Sequence, residues 1–183
     1  MTFTAKKKET ISSIITARRN RALDRQGYVS LLLRILFLAL AGWVMITQVF
    51  LITQVSGNAM FPAVKDGDLI IAFRIQQEYA KNEVVVYTAD GETHIGRIAA
   101  RATDVVMLDD SGKLLVNGTN QAGEILYPTY AKEGLTYPYP VPEGHVFILG
   151  DYRTQTEDSR DFVPNPMENV QGKVITILRR RGL

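Results

Sequence analysis

Residues 148–162 read ILGDYRTQTEDSRDF and hold the densest chemistry in the chain. Asp151, Arg153, Asp158, Ser159 and Arg160 interleave carboxylates, guanidinium groups and a hydroxyl. Groups of that kind, so close together, can fix a loop through charge-assisted hydrogen bonds. Arg97, far upstream, is a further partner for them. Other chemistries are excluded by what is missing. The 183 residues contain no cysteine, which removes disulfide frameworks, thiol nucleophiles, iron–sulfur clusters and thiolate zinc sites. Two histidines, His94 and His145, are too few for a histidine-rich metal centre, so neither metal nor cofactor is expected. There is no phosphate loop, dinucleotide fingerprint, EF-hand or serine elbow.

The elements that must position this loop fall into two textures. Residues 1–28 carry Lys6, Lys7, Lys8, Arg18, Arg19, Arg21 and Arg25 against Glu9 and Asp24, a charge of +5. The rest holds 14 basic and 17 acidic groups, so the net +2 conceals an asymmetry. The step falls at an apolar run, ILFLALAGWVMITQVFLITQV, within a charge-free stretch between Arg34 and Lys65. About 20 apolar residues in a helix span a hydrocarbon core. Residues 1–34 are therefore expected as a basic cytoplasmic tail, 35–55 as a transmembrane helix, and 56–183 as an extracytoplasmic domain, by the positive-inside rule. The anchor implies contact with membrane lipid. Part of the leader, ETISSIITARRNRALDRQ, can form an amphipathic helix with Ile11, Ile14 and Ile15 on one side, lying on the inner leaflet; the other reading is a disordered tail.

Beyond residue 56 the runs are short and β-rich: LIIAF (69–73), EVVVYT (83–88), THIGRIA (93–99), VVML (105–108), KLLVN (113–117), HVFIL (145–149) and KVITIL (173–178). Turn formers separate them, among them Asp90-Gly91 and Asn117-Gly118. This predicts an all-β domain of antiparallel strands, a partly open barrel or sandwich. Residues 119–144, rich in proline and tyrosine, read as a long surface excursion. Balanced charge in this domain argues against nucleic acid as a partner.

Three segments, in order, resemble the type I signal peptidase family. VSGNAMFPAV (55–64) resembles the family's Ser-Met-x-Pro core directly after a membrane helix. HIGRIAARATD (94–104) resembles a strand that typically reads Lys-Arg-Val-Ile-Gly. ILGDYRTQTEDSRDF resembles the Gly-Asp-Asn-Arg and Asp-Ser-Arg signature and is the most specific match. A single membrane helix with a short outer domain looks like the compact Gram-positive form. The resemblance implies an all-β fold with a groove near the membrane surface, the acid–base cluster beside it. It also implies that Met60 and Pro62 line the groove floor or face the bilayer, with a plain core role as the alternative.

The departures matter most. The family uses a serine nucleophile and a lysine general base. A serine hydroxyl needs a neighbouring base, and lysine serves only when burial lowers its pKa. The matching positions here are Ala59 and Gly96, so no catalytic dyad is intact. Ser56 is a poor substitute nucleophile, His94 a distant spare base, and Thr156 stands where the family usually has a serine. Loss of chemistry with a retained groove suggests binding, in which an extended peptide adds to a sheet edge. Some family relatives without the dyad are encoded with pilins and sortases and behave as chaperones. The resemblance therefore implies a non-catalytic, membrane-anchored protein that binds exported polypeptides such as pilin subunits. The alternatives are an active peptidase cleaving signal peptides, and a regulatory partner of an active signal peptidase. Ala59→Ser with Gly96→Lys is expected to restore cleavage if the groove is intact.

Overall fold

A computed structural model describes residues 11–121, 126–162 and 164–179, with the side chains of residues 11–25 outside the description. Lys6, Lys7 and Lys8 of the basic leader, and residues 122–125 of the excursion, also lie outside it. The chain divides into two units, Met1–Ile46 and Thr47–Leu183.

The first unit is built on one long helix, α1, Ile11–Val49. Its apolar portion, Gln26–Val49, is 24 residues, or roughly 36 Å at 1.5 Å per residue. Every side chain from Gln26 to Gln48 is exposed, including Leu36, Phe37 and Trp43. A helix apolar on all sides and long enough to cross a hydrocarbon core suits a lipid surrounding. Within the expected tail, residues 11–34 are helical and continuous with the apolar run. The far end differs from expectation: the helix stops at Val49, and Phe50–Gln54 form strand β1. An apolar run without period does not distinguish helix from strand. Here pairing decides, because β1 runs antiparallel to β2, Leu69–Phe73, with Phe50 opposite Phe73 and Gln54 opposite Leu69.

The second unit is antiparallel throughout. Its remaining strands are β3 Val84–Ala89, β4 Glu92–Arg101, β5 Val105–Leu108, β6 Leu114–Val116, β7 Thr119–Asn120, β8 Tyr139–Pro140, β9 His145–Leu149, β10 Asn165–Pro166 and β11 Val170–Leu178. They form a seven-stranded sheet, β1-β2-β11-β3-β4-β9-β10, and a four-stranded sheet, β7-β6-β5-β8. The expected mostly-β domain after one apolar helix is what the chain adopts. The excursion is partly recruited, since its ends supply β7 and β8.

Local chemistry sets the hairpins. Asp90 and Gly91 sit at φ 50° and 80° between β3 and β4, and Asn117 and Gly118 at 53° and 76° between β6 and β7. Two positive φ values in a two-residue loop match the twist of the flanking strands, and Asp-Gly and Asn-Gly tolerate them best.

Alternation along β3 and β4 builds the core on both faces. Val85 and Tyr87 join Ile98, Val146 and Ile148 in one cluster. Val86 joins Val55, Met60, Val64, Ile70 and Ala72 in another, with Ile95 packed against it. A third cluster, Ala99, Ala100, Val106, Leu114, Phe147 and Leu149, draws on strands of both sheets. Each such side chain contributes roughly 1.5–3 kcal/mol of burial for the larger types.

Candidate functional site

The sequence-selected residues converge on the segment that follows β9. Gly150 lacks a side chain where one would collide: a Cβ there would lie 2.7 Å from the Ala59 carbonyl oxygen and 2.7 Å from Thr156 Cγ2. That bareness lets three stretches meet. The Tyr152 N–H then donates to the Ala59 oxygen at 3.0 Å, which seats residues 58–62 against the loop.

Ala59 itself is half-buried and carries only a methyl group. Gly96 lies in β4, paired with Val85. A Cβ on Gly96 would stand 2.5 Å from Ile148 Cγ2 and 3.2 Å from both the Leu149 oxygen and Tyr87 Cε1. Real Cβ atoms do not approach that closely, and Ile148, β-branched and wholly buried, has little room to yield. A lysine at 96 would therefore require Ile148 to shift.

Other candidate groups are committed elsewhere. Thr156 is buried and its hydroxyl donates to Asp158 Oδ2 at 3.1 Å. Ser159 is fully buried, its Oγ accepting from the Ile148 N–H at 2.9 Å. His94 stacks between Tyr87 and Phe162, with ring centroids at 5.6 and 5.7 Å. Ser56 is exposed.

The acid–base cluster resolves into distinct contacts. Arg97 grips Asp151 in two parallel bonds, Nε to Oδ1 at 2.9 Å and Nη2 to Oδ2 at 2.6 Å, and spends Nη1 on the Asn82 carbonyl at 2.8 Å. The bonds to Asp151 raise the Arg97 pKa above its ordinary value. Arg160 does the same to Asp158, Nε to Oδ1 and Nη2 to Oδ2, each at 2.8 Å, with both residues almost wholly buried. Arg153 makes charge-assisted hydrogen bonds without a carboxylate partner. It is 1 % exposed, and its donors reach neutral oxygens: Gly150 O at 2.7 Å, Thr129 Oγ1 at 2.7 Å and Gln121 Oε1 at 3.0 Å. Burial pushes its pKa down to about 10.

Those bonds also answer where the excursion goes. Arg153 holds Gln121 and Thr129, Arg160 Nη1 donates to the Tyr130 oxygen at 3.2 Å, and Lys132 reaches both the Thr156 oxygen and Asp161. Tyr127 packs on Tyr152 at 4.5 Å, and Tyr152 on Phe61 at 6.1 Å. Gln121, Thr129, Lys132 and Tyr127 were not singled out by sequence. Nothing in their spacing marks them, because their partners lie 24 to 32 positions away for Thr129, Lys132 and Gln121.

Met60 and Pro62 separate. Met60 is 1 % exposed inside the cluster with Val55 and Val64, so it is a core residue and neither lines a surface groove nor faces lipid. Pro62 is exposed and Phe61 half-buried.

Known proteins resemble this chain in sequence. The chain is 35% identical over 137 residues to the protein named probable thylakoidal processing peptidase 2, chloroplastic, of Arabidopsis thaliana, covering 67% of this chain and 36% of that protein. It is 26% identical over 121 residues to signal peptidase I of Bacillus licheniformis, covering 58% of this chain and 64% of that one. The chain spans about two-fifths of the length of the first two curated relatives it matches, 36% and 40%. A solved signal peptidase I from Enterococcus faecalis V583 aligns at 22% identity and a TM-score of 0.44, over 54% of this chain and 97% of that one. The family described as signal peptidase, peptidase S26, matches residues 28–178, a stretch that takes in most of the apolar part of α1 and every strand described in the second unit. The chain belongs to that family.

Proposed function

We propose that this chain is a membrane-anchored, non-catalytic signal peptidase homologue that binds exported polypeptides, pilin subunits among them. It sits in the cell membrane with its amino terminus cytoplasmic and its β domain outside. The observation that carries this reading is the pair of positions Ala59 and Gly96. One offers a methyl group where the family places a nucleophile. The other has its side-chain space filled by Ile148 Cγ2, 2.5 Å from any Cβ. In a serine protease, loss of nucleophile or base alone costs about a million-fold in turnover. The rest of the frame stays tightly bonded, through Arg97–Asp151 and Arg160–Asp158.

The test is capture without cleavage. The full chain in detergent micelles, carrying a photo-crosslinker at exposed Pro62, is mixed with a pilin precursor and irradiated. The expected result is a saturable crosslinked adduct in which the precursor keeps its full mass. Absence of an adduct contradicts binding at this face, and a trimmed precursor contradicts the loss of chemistry.

A further inference from the structure

The direct ion pairs of the segment after β9 leave one arginine over. Arg97, Arg153, Arg160 and Lys132 are set against Asp151, Asp158 and Asp161. Each carboxylate is claimed by one cation: Asp151 by Arg97, Asp158 by Arg160, and Asp161 by Lys132. Arg153 is the cation left over, buried and satisfied only by neutral oxygens. Asp158 and Asp151 act on it only through space, and a buried charge without a directly bonded counter-charge carries a cost that an incoming anion would relieve.

The two neutral acceptors at its tip are also walls of a cavity. Thr129 and Gln121 line a pocket of about 240 Å³ together with Lys113, Asn120 and Tyr127. Lys113 is exposed at this pocket, and among the described residues its ammonium makes no ion pair. Asp109 feels its charge but is held mainly by the Lys113 N–H and the Ser111 hydroxyl. Lys113 thus lines the pocket, and Arg153 lies one hydrogen bond behind its Gln121 wall. The Arg153 Nη2 bond to Gln121 Oε1, at 3.0 Å, is the longest of that residue's three.

We infer that this pocket is an anion-recognition site for a polypeptide carboxylate, held between Lys113 and Arg153 once the Gln121 amide swings aside. An aspartate or glutamate side chain and a free chain terminus offer the same chemistry. The volume suits one such group and excludes a nucleotide. The pocket's lining includes neither Ala59 nor Gly96, so the assignment does not require that the chain cleave or fail to cleave.

The experiment uses the full chain in detergent micelles, with amide and side-chain signals followed by NMR. The probes are N-acetyl-aspartate N-methylamide, N-acetyl-glycylglycine with its free terminus, the neutral N-acetyl-asparagine N-methylamide, and inorganic phosphate. One or both carboxylates are expected to shift Gln121 and Thr129 saturably, weakening as salt rises; which of the two acts names the source. Lys113→Gln is expected to weaken that binding about two- to fivefold. Gln121→Ala, by uncovering Arg153, is expected to tighten it for the acidic probes alone. Equal binding of the asparagine probe, phosphate binding without either carboxylate, absence of shifts, or loss of binding in a folded Gln121→Ala variant would each overturn the assignment.

Discussion

Ile148 Cγ2 occupies the space that any side chain at Gly96 would need, 2.5 Å from the position of its Cβ. The contact ties the identity of residue 96 to the packing of β9 on β4. Overpacking a filled core costs about 1–3 kcal/mol. Gly96→Ala is therefore expected to lower thermal stability by about that amount. Ile148→Leu keeps the volume but removes the branch, and the double variant is expected to be more stable than the summed single losses predict. Strict additivity in that cycle would show that the contact does not constrain residue 96.

Restoring a dyad meets the same wall. Ala59→Ser with Gly96→Lys is expected to fold poorly and remain inert. Adding Ile148→Ala opens room beside the lysine, at a stability cost of about 2–5 kcal/mol for the lost side chain. The triple variant is expected to show the first measurable cleavage of a preprotein, and mass spectrometry of the product reads it. Full cleavage by the double variant would mean that the space is not closed.

The two arginine–aspartate pairs should differ in weight. Asp158 and Arg160 are almost fully buried, so Asp158→Asn strands a charge, and denaturant unfolding is expected to show a loss of about 3–5 kcal/mol. Arg97 is partly exposed, and Arg97→Ala is expected to cost about 1.5–3 kcal/mol through its lost charged hydrogen bonds. A larger loss at Arg97 than at Asp158 would reverse the assigned order.

Acid should act through Asp104. Burial favours its neutral form, but bonds from Lys81 at 2.8 Å, the Arg101 N–H at 2.8 Å and Asn117 at 2.7 Å outweigh it and hold the carboxyl below its usual range. A depressed carboxyl contributes stability above its unfolded pKa of about 3.9, and that stability is lost as pH falls through the folded value. Unfolding free energy is thus expected to drop below about pH 4. Asp104→Asn should be less stable near neutrality yet show a shallower acid loss. An unchanged acid limb would remove Asp104 from this role.

How much of this was legible depended on pattern length. LIIAF, VVML and HVFIL form strands with the expected ends, because each is a short apolar run between turn formers. Phe50–Gln54 reads as helix from sequence, because only its pairing with Leu69–Phe73 makes it a strand. The two-residue strands β7, β8 and β10 carry no periodicity to read. At the site, the partnership of Arg97 with the signature loop was visible as opposite charge. The neutral company of Arg153 was not, since Gln121 and Thr129 reach it only through the folded excursion. Met60 looked like groove lining beside Pro62, but neighbours on an irregular loop can face opposite ways, and Met60 faces the core.

Under the proposed function, this frame holds polypeptide and does not cut it. The most direct measurement is the mass of a signal-peptide-bearing preprotein incubated with the full chain in detergent micelles, over hours and at several ratios. The expected result is an unchanged mass alongside a co-purifying complex. Site-specific cleavage after a small residue, surviving repeated purification and abolished by unfolding the chain, would contradict it.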